Sequence, residues 1–197
     1  MKPPFPDHEA ARLEALQRYR ILDTAPEQSF DDIATLASYL CKTPIALISL
    51  VDAERQWFKS SVGLPTTETH RDLAFCAHTI VQKKLLVVPD ATKDARFSSN
   101  PFVTGDPHIR FYAGAALLTP EGHGLGSLCV IDSTPRTLNP EQTAALEALA
   151  RQIVIQLELR RTSHDLAMAV ENIKTLSGLL PMCAFCKGIR DMRECLC

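Results

Sequence analysis

Hydrophobic residues along this chain change period twice, dividing it into a helical region, a strand-rich region and a second helical region. Leu13, Leu16, Tyr19 and Leu22 keep the spacing of one helical face and predict a helix over residues 7–22, capped by Asp7. The turn Asp23-Thr24-Ala25-Pro26 ends it. Phe30, Ile33, Leu36, Ala37 and Leu40 predict a second helix over residues 28–40, closed by Pro44. The run IALISLV, residues 45–51, is β-rich and almost continuously apolar, as in a central strand. Asp52-Ala53-Glu54 makes a turn, and residues 55–62 return as the second arm of a hairpin ended by Gly63-Leu64-Pro65.

The polar stretch 66–72 reads as a loop, and residues 73–81 as a short helix. Residues 85–88 form a strand stopped by Pro89-Asp90, and residues 95–102 supply a helical turn or two. Asn100-Pro101 and Asp106-Pro107 are turn signals. A second hairpin pairs residues 110–119 with residues 125–131 across Pro120-Glu121-Gly122-His123-Gly124. From Asn139 the period is helical again: Asn139 caps, Pro140 takes the first turn, and no Gly or Pro intervenes before Gly178. Leu159, Leu166, Ile173 and Leu180 recur every seventh residue with Ala169 and Leu176 between them, a short coiled-coil-like heptad that predicts dimerisation. This order of elements predicts one mostly antiparallel sheet with helices on one face.

Composition narrows the function classes. Hydrophobic residues make up 46% of the 197 and charged residues 22%, enough for a sizeable core. The net charge is −2 with both signs interspersed, so neither a nucleic-acid surface nor polybasic membrane attraction is expected. The N-terminal stretch lacks the apolar core of a signal peptide, and no run approaches membrane-spanning length, which points to a cytoplasmic protein. Cys41, Cys76 and Cys129 sit singly inside apolar patterns and read as buried, inert thiols. Cys183, Cys186, Cys195 and Cys197 crowd the C-terminal end; they are candidate zinc ligands, because four thiolates make a tetrahedral set.

Two long segments carry a family resemblance. IALISLVDAERQWFKSSVGLPTTETHRDLAFCAHTI and LLVVPDATKDARFSSNPFVTGDPHIRFYAGAALLTPEGHGLGSLCVID strongly resemble bacterial GAF domains, and the lead-in EAARLEALQRYRILDTAPEQSFDDIATLASYLC resembles the usual entry to that subgroup. The likeness covers residues 9–161. It implies an α+β fold similar to PAS domains: a central, mostly antiparallel sheet of about six strands, flanking helices, a ligand pocket on one face and a long C-terminal helix. It also implies a homodimer that binds a small molecule and regulates an output such as a histidine kinase or diguanylate cyclase. No such output is expected in the residues after Arg161. The tail LSGLLPMCAFCKGIRD resembles an element that follows GAF or PAS domains in signalling proteins, where a second C-x-x-C completes it; here the sequence stops at DMRECLC. The expected organisation is a frayed segment at 1–6, a GAF domain at 7–161, a signalling helix at 162–180 and a Cys-rich, truncated tail at 181–197.

The resemblance places Trp57, Phe58, Asp72, Phe75, Cys76, His78, Asp90, Phe97, Phe111 and Tyr112 around the pocket, an apolar wall with a few polar groups. The resemblance also puts Cys76 at the position of a tetrapyrrole thioether or haem ligand. However, Cys76 and His78 point about 200° apart on a helix and cannot share one ligand. A non-enzymatic sensor with an unidentified ligand is therefore expected. The alternatives are a ligand-free dimerisation module and a thiol-dependent free methionine sulfoxide reductase using Cys76 and Cys129.

Overall fold

The structure, a computed structural model, describes residues 2–178. The expected zinc ligands Cys183, Cys186, Cys195 and Cys197, with the rest of the tail, lie outside the described residues. In chain order the elements are α1 (Glu9–Arg18), α2 (Gln28–Cys41), β1 (Ile45–Val51), β2 (Arg55–Val62), β3 (Glu68–His70), α3 (Phe75–Gln82), β4 (Leu86–Val88), α4 (Pro101–Thr104), β5 (Phe111–Leu118), β6 (Gly124–Asp132) and α5 (Pro140–Gly178). The six strands form one sheet in the order β3-β2-β1-β6-β5-β4, and every neighbouring pair is antiparallel.

The strands read as expected because their apolar runs are covered on both faces. Ala46, Ile48 and Leu50 of β1 join Phe111, Ala113, Ala115 and Leu117 of β5 and Leu128 and Val130 of β6 on one face. That face is covered by Leu16 of α1, Phe30, Ala34 and Ala37 of α2, and Leu146, Ala150, Ile153 and Leu157 of α5. The alternate residues, Leu47, Val51, Phe58, Tyr112, Cys129 and Ile131, turn to the second face and meet Phe75, Cys76, Ala77 and Ile80 of α3. Helices thus lie on both faces, correcting the one-sided arrangement expected from element order.

Local chemistry accounts for the departures from the sequence pattern. Helix α1 stops at Arg18 because Arg20 takes a positive φ of 47°, which lets both Tyr19 and Ile21 enter the core. Asp7 does not cap it; the N-cap is His8, which makes no side-chain cap bond. The polar stretch expected to be a loop contains β3, an edge strand that pairs Gln56 with Thr69 and Arg55 with His70. Asn100-Pro101, read from the sequence as a turn signal, begins α4: Asn100 Oδ1 accepts from Phe102 N at 2.9 Å, and Pro101 fills the first helical position. At the start of α5, Asn139 and Gln142 form a reciprocal capping box, each side chain accepting from the other's backbone N–H at 2.7 and 3.1 Å. A register shift between β1 and β2 sends Lys59 and Ser60 together towards α2, where Lys59 Nζ meets Glu27 at 2.7 Å and Ser60 Oγ donates to Asp31 at 2.6 Å.

The chain separates into two compact units, ending and beginning at Glu158 and Leu159. Within the second, Leu159, Leu166 and Ile173 are each 65% exposed. Among the described residues no helix is long and apolar enough to cross a membrane.

A buried ion cluster fastens α1 to the turn between β1 and β2. Glu9 accepts from Arg12 at 2.7 and 2.8 Å and from Arg71 at 2.6 Å, while Arg71 also donates to Asp52 O at 2.8 Å. Burial raises the Glu9 pKa, but the two guanidiniums outweigh it and hold the carboxyl below its ordinary value of 4.5. A depressed carboxylate contributes stability that is present above the unfolded value and lost as pH falls through the folded one. Acid titration of unfolding is therefore expected to show a loss of stability below about pH 4.5 that is absent in Glu9→Gln. At neutral pH that variant is expected to cost roughly 2–3 kcal/mol in a urea melt, because two buried arginines lose their counter-charge.

Candidate functional site

The second face of the sheet carries both a cavity and a buried polar network. The cavity, of about 120 Å³, lies between the β1, β2 and β6 strands, the start of α3 and the segment around residues 102–109. Leu47, Phe58, Phe75, Phe102, Ile109 and Ile131 supply most of its apolar wall, and Cys76 and Tyr112 reach its inner end. Polar side chains also line it: Thr66, Asp106, and the cross-strand neighbours Gln56 and Thr69 of β2 and β3. Gln56 Oε1 and Thr69 Oγ1 are the buried side-chain polar atoms without a hydrogen-bond partner among the described residues. Gln56 is only 5% exposed. An unpaired buried polar atom costs about 1–3 kcal/mol, so two at one cavity form an unfilled demand for a partner.

Behind the cavity the polar groups are satisfied. Tyr112 Oη shares a hydrogen bond with Thr79 Oγ1 at 2.7 Å, donates to Cys76 Sγ at 3.4 Å and lies 3.4 Å from Ser127 Oγ. Ser127 Oγ is in turn 3.5 Å from Ser49 Oγ. Cys76 and Cys129 approach to 3.7 Å, sulfur to sulfur. Burial raises a thiol's pKa, yet the hydrogen bonds of Cys129, Ser127, Ser49 and Tyr112 prevail at Cys76 and lower it. Cys129 is raised, first by its bond to Cys76 and then by burial, and Tyr112 is raised chiefly by burial.

Of the ten residues expected around the pocket, Phe58, Phe75, Cys76 and Tyr112 line the cavity. Phe97 sits one layer behind, stacked on Phe75 with centroids 4.0 Å apart, and His78 packs edge-on against Phe97 at 4.8 Å. Trp57 and Phe111 lie in the opposite core. Adjacent strand residues point to opposite faces, so Trp57 and Phe58, or Phe111 and Tyr112, cannot share a pocket. Asp72 faces outward, 3.1 Å from Lys2, and Asp90 is held in a surface turn by Thr92 and Lys93. Gln56 and Thr69 escaped the sequence reading. The signal available was a polar residue two places before Phe58, on the inward phase of β2. The sequence reading of Cys129 as isolated also changes, since the fold brings it against Cys76.

The comparisons with known proteins agree with this architecture. The GAF domain family model matches residues 25–157. The chain belongs to the GAF domain family. A Pseudomonas aeruginosa protein named as a cyclic di-GMP phosphodiesterase is 44% identical over 163 residues, covering 82% of this chain and 28% of that protein. The chain thus spans little more than a quarter of that relative. Two solved structures share the fold. The GAF domain of an Acinetobacter phosphoenolpyruvate-protein phosphotransferase has a TM-score of 0.57, with 18% identity over 79% of this chain and 98% of that one. The bacteriophytochrome RpBphP3 from R. palustris has a TM-score of 0.63, with 12% identity over 92% of this chain and 43% of that one. The expectation of a non-enzymatic sensor is corrected by the Pseudomonas relative, which is named for an enzymatic activity.

Tyr112 is the hub of the buried network. Tyr112→Phe is expected to destabilise the domain by about 1–3 kcal/mol in chemical denaturation, because Thr79 and Cys76 lose their shared partner. The fold itself, followed by circular dichroism, is expected to be retained.

Proposed function

We propose that this GAF domain is the sensory module of a cyclic di-GMP signalling system, in which occupancy of the cavity by a small molecule modulates an output enzyme through α5. The observation that carries the reading is that Gln56 and Thr69, whose Oε1 and Oγ1 are buried without a partner among the described residues, both line one largely apolar cavity. An occupant has to bring a hydrogen-bond donor to Gln56 and a polar atom to the Thr69 hydroxyl, set on a compact apolar body. Its size is bounded by the cavity. A volume of about 120 Å³ compares with roughly 300–1,000 Å³ for sites that hold drug-sized ligands. The reading therefore assigns the cavity to a small metabolite and leaves the cyclic dinucleotide to the output enzyme. The link to cyclic di-GMP rests on the Pseudomonas relative.

The route out of the domain is α5. Its first part packs on the sheet through Leu146, Ala150, Ile153 and Leu157, and its later part carries Leu159, Leu166 and Ile173 exposed at heptad spacing. In this reading the exposed row pairs with a second copy, and a ligand with unequal affinity for two arrangements shifts the dimer between them.

Native mass spectrometry of protein purified from its own host is expected to reveal a co-purified small molecule that is lost in Gln56→Leu. The same variant is expected to be at least as stable as wild type without ligand, because it removes a buried unpaired oxygen. Retention of the small molecule by Gln56→Leu would remove the site. For the helix, Leu166→Glu combined with Ile173→Glu is expected to convert dimer to monomer in sedimentation velocity, leaving the melting of the first unit unchanged.

A further inference from the structure

The sensory reading gives the thiols of Cys76 and Cys129 no chemical role, and three features of their surroundings set them apart from packing thiols. Their sulfurs are 3.7 Å apart across the α3–β6 contact, whereas a disulfide bond is about 2.05 Å, so closure needs a shift of roughly 1.7 Å. Cys76 is the second residue of α3, where the helix dipole favours an anion, and Tyr112 Oη donates to its sulfur at 3.4 Å. Finally, Cys76 lines the cavity, although it is only 2% exposed to solvent. A water-sized molecule needs only about 10–15 Å³ of such space, so small reagents fit and bulky ones do not.

We propose that Cys76 and Cys129 form a dithiol switch that is oxidised by small hydroperoxides entering through the cavity and reset by thiol–disulfide exchange with a dithiol reductant. The lowered pKa of Cys76 and the raised pKa of Cys129 give the two thiols different roles, attacking and resolving. The Cys76 thiolate attacks one peroxide oxygen. The S–O bond forms as the O–O bond breaks, and the departing hydroxide takes a proton to become water. Cys129 loses its proton and attacks the Cys76 sulfenic acid sulfur. The S–S bond forms as the S–O bond breaks, and hydroxide leaves with that proton as a second water. In sum, two thiols lose two electrons, and hydrogen peroxide gains them to become two waters. The product ties α3 to β6 covalently and removes the sulfur that Tyr112 holds, altering the inner wall of the cavity. The switch shares the cavity with the sensory reading but does not require a ligand there.

The test uses the full chain, treated in its folded state with hydrogen peroxide, alkylated, and digested with trypsin without reduction. The expected result is recovery of peptides 72–83 and 111–136 as one linked species, about 2 Da lighter than their sum and separated again by dithiothreitol. In Cys129→Ala, Cys76 is expected to accumulate as a sulfenic acid trapped by a 1,3-diketone probe. In Cys76→Ala, oxidation of Cys129 is expected to be lost. Protein stripped of any co-purified small molecule is expected to form the linkage to the same extent, which separates this inference from the ligand reading. Recovery of the two peptides unlinked from folded wild-type protein, or oxidation of Cys129 undiminished in Cys76→Ala, would overturn it.

Discussion

The pleat of β1, β6 and β5 is the constraint on which the remaining structure depends. These three strands are buried on both faces, so one antiparallel register decides at once what packs under α1, α2 and α5 and what faces the cavity. A slip of one residue would exchange the two sets, placing Tyr112 and Cys129 beneath the helical layer and Phe111 and Val130 at the cavity. Close contacts reinforce the register. A Cβ on Gly126 would stand 1.8 Å from Ser49 O, and one on Gly114 would stand 2.1 Å from Tyr112 Oη. The first glycine allows β6 to lie against β1, and the second leaves room for the tyrosine ring.

Around this frame, polar groups are used in two opposite ways. Thr79, Tyr112, Cys76, Cys129, Ser127 and Ser49 form a connected set inside the protein, in which each group has a partner and the low dielectric strengthens the bonds. Gln56 and Thr69, a few residues away on the other side of the cavity, keep an oxygen each without one. The first arrangement holds Tyr112 in one place; the second is a cost left uncompensated within the protein. In the proposed reading, a bound molecule that supplies the missing partners recovers that cost as affinity, which would make a cavity mostly lined by Phe, Leu and Ile selective.

The perimeter is held by charge. Arg12 and Arg71, both almost fully buried, converge on Glu9, and Lys59 is enclosed by Glu27, Thr24 and the Ala25 carbonyl. These clusters connect α1 and the α1–α2 turn to the β1–β2 hairpin. The N-terminal helices are thereby fastened to the same hairpin whose β2 strand carries Gln56, so the cavity wall and the helical layer share one support.

Much of this was legible in the residues themselves. The near-continuous apolar run of β1 marked a central strand, and the boundaries of β1 and β2 agree with the structure to the residue. The heptad spacing and the absence of Gly or Pro marked α5, and Asn139 marked its start. The long collinear motifs identified the family. Other features required the fold. β3 is three residues of edge strand whose partner, β2, supplies the pairing that its polar sequence conceals. Trp57 and Phe111 were misplaced although strand alternation already separated them from Phe58 and Tyr112. The orphaned oxygens of Gln56 and Thr69, and the meeting of Cys76 with Cys129 across fifty-three positions of sequence, arise from non-local packing. Local periodicity, which sequence displays directly, determined the elements and their faces; proximity between distant segments, which only the closed sheet creates, decided the chemistry of the site.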